Sequence, residues 1–385
     1  MSFDYRLLGR KLKEARQNQE YTIDEVAEYI NKSEKDYKMI EDGEYVTLEG
    51  DTVVLLSKLF KVDFRYLITG NYPSAESQIT SLFRQNSELS KNDRRAIQSF
   101  IRLCETKNDI EEMLGSYKPV PPKYSMNDFN VDNEKQQGIL AADFERNRLK
   151  IVGDIPNIYS LLRQQKIHIF RRTLDDKNIS GVYIKHPYAG HCILINYVDD
   201  IFRQNFSAAH EYCHVLFDSD SEQRISYERT NDYVEVRANN FSSNFLVPSS
   251  AYHQLINKKD VSYEYLSNWI ITICRKYKVN KHVVIYKLSD LKIITSNTKN
   301  KLLSDFSFKV ISNYKEDPEL VGVSPNLVKP ITELIKNGIS LEYIKLCKNA
   351  YDDGVITFSK LVNSLNTDFY KGKHIVDIMD FIMEV

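Results

Sequence analysis

Residues 207–218 read SAAHEYCHVLFD and contain the pattern HExxH, which runs from His210 to His214. At 100° per residue, histidines four positions apart lie on one face of a helix, where both imidazoles can bind one metal ion. Glu211 follows the first histidine directly and could take a proton from a water on that ion. HExxH is a short pattern that also arises by chance among surface residues. The surrounding sequence therefore has to show whether it marks a metal site.

The surrounding sequence favours a metal site. The motif lies in an apolar helical stretch that directly follows HCILINY (191–197), a β-branched run typical of a strand. Both histidines are flanked by apolar residues. A third ligand should come from a second helix, and Glu235 stands 21 residues after His214 in the segment YVEVRANNFSSNFLVP.

Two polar residues are placed to support the histidines. Asn239 lies four residues after Glu235 on the same helix face, where its amide could hold His210 in the metal-binding tautomer. Asp218, one turn beyond His214, could do the same for the other imidazole. The alternative for both Asn239 and Asp218 is a solvated polar side chain.

From GILAADFERN (138–147) through NISGVYIKHP, HCILIN and AAHEYCHVLFD to KYKVNKHVVIYKLSDLKII, the sequence resembles the ImmA/IrrE family of zinc metallopeptidases. Arg237 stands where the family often has an acidic residue. The resemblance implies an α+β zincin-like metallopeptidase domain that binds Zn²⁺, with Mn²⁺ or Fe²⁺ as alternatives. It also implies three metal ligands and a general base, which are His210, His214, Glu235 and, as the base, Glu211.

Two short helices joined by a tight turn are predicted near the N-terminus. Thr22 and Glu25 form a capping box that opens TIDEVAEYI, and Ser33 opens SEKDYKMIE in the same way with Asp36. Together with LGRKLKEAR and DTVVLLSKLFKVDFRYLITG, these helices resemble the XRE-type (lambda-repressor-like) helix-turn-helix family over residues 5–70. The resemblance implies an all-α domain whose partner is an operator DNA.

In the second of these helices, Tyr37 and Ile40 lie three residues apart and are expected to pack inward. The opposite side would then face the major groove, with Lys32 and Lys38 placed for phosphates. Candidates for contact with base edges are Glu34, Lys35 and Met39, and the full set of predicted DNA-binding residues is Arg10, Lys32, Glu34, Lys35, Lys38 and Met39.

The charge of this N-terminal domain leaves a second interpretation open. Residues 1–70 contain 11 basic and 14 acidic side chains, a net of −3, whereas phosphate neutralisation is the main source of non-specific DNA affinity. Ile23 and Glu44 also stand where the family commonly has a glutamine and a basic residue. A module for protein docking or dimerisation is therefore the alternative to DNA binding.

The chain is predicted to be multidomain. Pro119, Pro121 and Pro122 cannot continue a helix and indicate an extended hinge between helical and mixed sequence. The predicted segments are an all-α helix-turn-helix domain (1–70), a helical connector (71–118), a Pro-rich hinge (119–133), the metallopeptidase domain (134–296) and an all-α C-terminal region of unassigned role (297–385).

Composition excludes other classes of protein. With 52 basic and 53 acidic side chains in 385 residues, the molecule as a whole is no polycation made for nucleic acid. No apolar run approaches the roughly 20 residues of a membrane span, so no membrane partner is expected. The five cysteines never form CxxC, which favours reduced thiols in a cytoplasmic protein.

Members of the ImmA/IrrE family cut helix-turn-helix repressors, usually encoded beside them in phages, mobile elements or stress regulons. The resemblance therefore implies a cytoplasmic zinc endopeptidase that regulates transcription by cleaving a repressor-type protein, either a partner regulator or itself. An extended hinge would allow self-cleavage, and SGVYIKH or HCILINY could be the edge strand that pairs with substrate.

Other functions stay open at this point. One is a DNA-binding regulator whose peptidase fold is a non-catalytic metal or ligand sensor, although a pure sensor has no need of Glu211. Another is one component of a toxin–antitoxin pair. A homodimer is also compatible with the sequence.

Overall fold

The computed structural model of the chain describes residues 3–45, 48–69, 72–131, 133–219, 223–227, 233–256, 261–305, 310, 316–367, 370, 372–373 and 375–376. Residues 377–385 of the predicted C-terminal region lie outside this range. The fold class is the predicted one, with a helical N-terminal domain, a small mixed sheet with helices in the middle, and a helical C-terminal region. Within the described residues, no helix is both long and apolar enough to cross a bilayer.

The elements follow one another along the chain in three groups. The N-terminal helices are α1 (Tyr5–Asn18), α2 (Ile23–Tyr29), α3 (Glu34–Glu41), α4 (Gly50–Phe60), α5 (Phe64–Ile68), α6 (Glu76–Gln85) and α7 (Lys91–Met113). The central elements are α8 (Glu134–Arg148), α9 (Ile158–Arg163), β1 (Ile167–Arg172), β2 (Ile179–His186), β3 (Gly190–Asn196), α10 (Ile201–Phe217), β4 (Gln223–Tyr227), α11 (Tyr233–Leu246), α12 (His253–Ile256), α13 (Tyr263–Tyr277) and α14 (Lys281–Asp290). The remaining helices are α15 (Ser296–Ser304), α16 (Pro325–Lys336), α17 (Leu341–Asp352) and α18 (Phe358–Ser364).

The N-terminal helices begin where the capping signals predicted. The Thr22 side chain accepts a hydrogen bond from the Glu25 amide while the Glu25 carboxylate accepts one from the Thr22 amide, and this capping box opens α2. The Ser33 side chain caps α3 by accepting a hydrogen bond from the Asp36 amide. Arg16 on α1 forms an ion pair of 2.6 Å with Glu41 at the end of α3, so the two helices are fixed together through a buried carboxylate.

The strands form one sheet in the order β1-β3-β2-β4. β1 runs parallel to β3, whereas β2 is antiparallel to both of its neighbours. SGVYIKH and HCILINY therefore lie in interior strands, and the expectation that either is a substrate-binding edge is wrong. The edge next to β2 is β4, a short strand that the sequence did not reveal.

The two faces of the sheet support different helices. On one face, Ile193 and Ile195 of β3 pack in a core with α8, α10, α11, α13 and α14. On the other face, Cys192 and Leu194 pack in a core with α6, α7, α17 and α18. The predicted connector and the C-terminal region thus share one core with the central sheet, because a sheet with two apolar faces needs cover on both.

The Pro-rich segment is extended but is not a free hinge. Tyr124 is buried in the central core, where its ring contacts the rings of Phe129, Phe144 and Phe217. Its amide donates to the Leu216 carbonyl on α10 at 2.7 Å. The prolines prevent a helix as expected, but the aromatic side chain that follows them is buried, so the prediction of a hinge is wrong for this part of the segment.

Buried ion pairs tie the C-terminal region to the sheet. The guanidinium of Arg171 on β1 donates to both carboxylate oxygens of Asp317, at 2.8 and 3.0 Å, and forms a second pair with Glu319. Glu319 also accepts from Arg163 on α9. All four side chains are almost fully buried, so the loss of one member leaves an uncompensated charge in the interior.

Asp317→Ala should lower the free energy of unfolding by about 3 kcal/mol, because Arg171 would lose its bidentate partner inside the core. The measurement is urea unfolding followed by the fluorescence of Trp269, the single tryptophan. Glu333→Ala is the control, since Glu333 forms an exposed pair with Lys336 and its loss should change stability by less than about 1 kcal/mol. Equal effects of the two variants would contradict a structural role for the buried pairs.

Candidate metal centre

The HExxH residues lie on α10, a helix whose burial follows from its sequence. Asp200 caps the helix by accepting from the amides of Phe202 and Arg203. From there α10 runs between the sheet and α11, and every residue from Ser207 to Leu216 is buried. The polar side chains of the motif are therefore held inside the protein.

The three predicted metal ligands converge on one point. The Nε2 atoms of His210 and His214 lie 3.1 Å apart, and Glu235 on α11 places one carboxylate oxygen 2.9 Å from His210 Nε2 and the other 3.6 Å from His214 Nε2. A tetrahedral zinc site with bonds of 2.0–2.1 Å separates its ligand atoms by roughly 3.3 Å. Within the described residues this is the one His, Cys, Asp and Glu group close enough to hold a metal ion.

Both predicted supporting residues contact the imidazoles. The Asn239 side-chain oxygen lies 3.1 Å from His210 Nδ1, and an Asp218 carboxylate oxygen lies 2.8 Å from His214 Nδ1. An acceptor at each Nδ1 fixes the proton there and leaves the Nε2 lone pair for a metal. Arg237 stands where the ImmA/IrrE family often has an acidic residue, and it forms an ion pair with Asp218. This ion pair accounts for the basic side chain at that position.

The buried environment shifts the pKa values of both imidazoles. Burial lowers the pKa of His214, so the ring is neutral near neutral pH, as a metal ligand must be. Burial also opposes protonation of His210, but the hydrogen bond with Glu235, the negative charges of Glu211 and Glu235 and the hydrogen bond with Asn239 together outweigh burial and raise the pKa of that imidazole. The Glu235 carboxylate thus favours a positive charge at this point of the site.

Glu211 is buried, and neither of its carboxylate oxygens has a hydrogen-bond partner among the residues that the structure describes. A Cβ at Gly181 of β2 would lie 2.6 Å from one of these oxygens, so the glycine makes room for the carboxylate. A buried, unpartnered carboxylate is costly unless another group satisfies it. The Glu211 carboxylate therefore fits a site that is completed by a metal ion and water.

Sequence reasoning missed Arg224. Residue 224 lies on β4 opposite Tyr183 of β2, and its guanidinium is 3.2 Å from a carboxylate oxygen of Glu235. It also approaches His214 Nδ1 at 3.2 Å. Because that nitrogen carries the proton shared with Asp218 when Nε2 binds a metal, we assign the Glu235 carboxylate as the partner of Arg224. Only the pairing of β4 with β2 brings Arg224 to the site, and no local sequence signal indicates it.

The predicted DNA-binding residues are all exposed or partly exposed on the N-terminal domain. Tyr37 and Ile40 of α3 are buried, as the spacing predicted. The other side of α3 faces solvent with Glu34, Lys35 and Lys38 exposed and Met39 partly exposed. Arg10 is exposed on α1, and Lys32 is partly exposed before α3, with its ammonium 5.3 Å from the Tyr45 ring centroid.

Comparisons with known proteins match two parts of the chain. Residues 9–73 match a family described as a helix-turn-helix domain, and residues 162–289 match the peptidase M78 family, described as an IrrE N-terminal-like domain. The second match spans the sheet, α10 and α11. No curated protein matches the chain. The chain therefore joins an XRE-like helix-turn-helix DNA-binding domain to an IrrE N-terminal-like domain of the peptidase M78 family.

Proposed function

We propose that this protein is a zinc-dependent endopeptidase that regulates transcription by cleaving a repressor-type protein. The observation that carries the proposal is the buried, unpartnered Glu211 carboxylate beside the convergent His210, His214 and Glu235. A site that only sensed or stored a metal would need the three ligands but not a fourth buried carboxylate. A family match to a peptidase domain over the same residues supports the same chemistry.

His210, His214 and Glu235 would hold the ion, and their donor set of two imidazoles and one carboxylate is one that zinc peptidases use with an open fourth position. When bound there, Zn²⁺ supplies Lewis acidity, which activates water and polarises a carbonyl oxygen. Glu211 takes the proton from the attacking water and passes it to the leaving amine. Asn239 and Asp218 keep the two imidazoles in the tautomer that this requires.

Arg224 adds a positive charge beside the ligands. Its contact with Glu235 holds the guanidinium at the edge of the site. A fixed cation at this distance can stabilise the negative charge that develops on the oxygen of the scissile carbonyl. We propose this role for Arg224, which β4 positions through its pairing with β2.

The sheet also indicates how a peptide could bind. β4 pairs with β2 on one side, and the strand pairings of the described residues leave its other side open. An extended peptide could add to that edge by main-chain hydrogen bonds. Because Tyr124 is packed in the core, cleavage of the Pro-rich segment within its own chain would require this residue to leave the core. A partner repressor, or a site outside this segment in a second copy, is therefore the better substrate.

The N-terminal domain carries the proposed contact with operator DNA. The candidates on the outer side of α3 are solvent-exposed or partly exposed, and the buried Arg16–Glu41 pair fixes α3 against α1. With a net charge of −3 over residues 1–70, affinity should depend on a few lysines and on dimerisation more than on a broad basic surface.

The purified protein should contain about one zinc ion per chain, as the single convergent ligand set implies. Replacement of His210, His214 or Glu235 by alanine should remove it, because each supplies one of three protein ligands. The metal content of dialysed protein, determined by mass spectrometry, is the measurement. His282→Ala is the matched control, since His282 is exposed on α14. Full zinc retention in all three site variants would show that the ligand assignment is wrong.

Glu211→Gln should lower the cleavage rate at least about 10²-fold without loss of zinc, because the amide keeps the size of the side chain but cannot accept a proton. The substrates are a helix-turn-helix repressor encoded in the same genome and, separately, an inactive Glu211→Gln copy. Glu264→Gln, on α13, is the control and should cleave at the wild-type rate. Wild-type activity in Glu211→Gln would exclude Glu211 as the base.

Lys35→Ala should weaken the free energy of binding to the preferred operator by roughly 1–3 kcal/mol and reduce the preference for particular bases. Lys38→Ala should weaken binding to all DNA sequences alike and reduce the slope of log affinity against log salt concentration by about one. Fluorescence anisotropy with the protein's own promoter DNA at two salt concentrations distinguishes these effects. Lys345→Ala, exposed on α17, is the control. If the wild type failed to bind DNA at low salt but bound another protein through this domain, the docking alternative would replace DNA binding.

A further inference from the structure

A cleft of about 480 Å³ lies where the N-terminal domain meets the rest of the molecule. Residues of α2, α4 and α5 line it on one side, α7 forms part of its wall, and α18 with the residues that follow it completes the lining. Its volume is in the range of small-molecule binding sites. None of the metal ligands and no residue of α3 lines this cleft, so it is separate from both sites described above.

The residues that line the cleft are positively charged on balance. Its lining contains Lys58, Lys61, Arg102 and Lys360 and, among the lining residues that the structure describes, no aspartate or glutamate. Arg102 is neutralised, because its guanidinium lies 2.8 Å from Asp63 and 2.7 Å from Glu105, which are outside the lining.

The three lysines have no such compensation. Lys61 donates to the side-chain oxygen of Asn366, a neutral partner. Lys58 and Lys360 form no ion pair with a described carboxylate. Burial lowers the pKa of Lys61, and the nearby charges of Arg172, Arg102 and Lys58 lower it further. Three ammonium groups at one cleft, with no countercharge among its described lining residues, favour an anion there.

Another part of the lining is aromatic and apolar. Tyr29 at the end of α2 is 47% exposed and Phe64 at the start of α5 is 44% exposed, although both are large apolar side chains beside a packed core. Val54 of α4 lies on the same cleft and is also exposed. Aromatic faces open to a cleft are surfaces on which a flat ring can stack.

We propose that this cleft binds a nucleoside di- or triphosphate. Lys58, Lys61 and Lys360 would bind the phosphates as compact point charges, and Tyr29 and Phe64 would contact the base. The ligand would then bridge α4 of the DNA-binding domain to α18 of the C-terminal region. This assigns the C-terminal region a part in ligand binding, and it does not depend on the proposed peptidase activity.

The test is calorimetric titration of the full-length, zinc-loaded protein, dialysed to remove unbound zinc, with ADP, GDP, CDP and UDP. At least one of the four should bind with a Kd below about 1 mM. Pyrophosphate and the matching nucleoside should each bind at least about 10-fold more weakly, because each lacks one half of the proposed contacts.

Variants assign the binding to this cleft. Lys58→Glu and Lys360→Glu should each weaken the nucleotide at least about 10-fold, because a repulsive charge replaces an attractive one. Tyr29→Ala should weaken the nucleotide but leave pyrophosphate binding unchanged. Lys345→Glu makes the same charge change at an exposed helical position outside the cleft and should have no effect. Zinc content and circular dichroism check that each variant is folded.

Three results would overturn the proposal. They are the absence of binding by all four nucleotides, equal affinity for nucleotide and pyrophosphate, and undiminished affinity in both lysine-to-glutamate variants. If the wild type bound no nucleotide while Lys360→Glu lost affinity for promoter DNA, the lysines would belong to a DNA contact instead.

Discussion

The packing of α10 against the sheet forces His210, Glu211 and His214 into the interior, where each polar group must find a partner. His210 and His214 find theirs in Asn239, Asp218 and Glu235. Glu211 finds none among the described residues, and Gly181 leaves space beside it. β2, α11 and β4 therefore surround one buried carboxylate of α10, that of Glu211. The chemistry of the site depends on which groups satisfy that carboxylate.

Helix α6, which packs on the second face of the sheet, connects the candidate metal site with the N-terminal domain. On α6, Thr80 accepts a hydrogen bond from Asn18 of α1 at 2.8 Å, and the adjacent Ser81 accepts one from Gln223 of β4 at 3.0 Å. Gln223 precedes Arg224, which contacts Glu235. One helix thus contacts both the helix-turn-helix domain and the edge strand beside the candidate metal site.

The sequence predicted features that depend on local geometry and missed those that depend on distant pairing. Two histidines four residues apart on a helix share a face wherever the helix lies, and the Thr22 and Ser33 caps were equally local. The placement of Glu235 needed the family resemblance as well. Arg224 could not be found, because it reaches the site only through the register of β4 with β2. The burial of Tyr124 could not be predicted for a related reason, since proline content describes the backbone and not the core that the following side chain joins.

The central claim is that this chain hydrolyses a peptide bond with a metal-assisted water, and isotope incorporation tests it most directly. Zinc-loaded protein and a helix-turn-helix repressor encoded in the same genome would be incubated in water enriched in oxygen-18, and the products would be analysed by mass spectrometry. Our account predicts one new cut whose new carboxylate carries one heavy oxygen, lost on chelation and restored by zinc. An intact repressor with zinc-loaded protein, or cleavage that a chelator leaves unchanged, would contradict it.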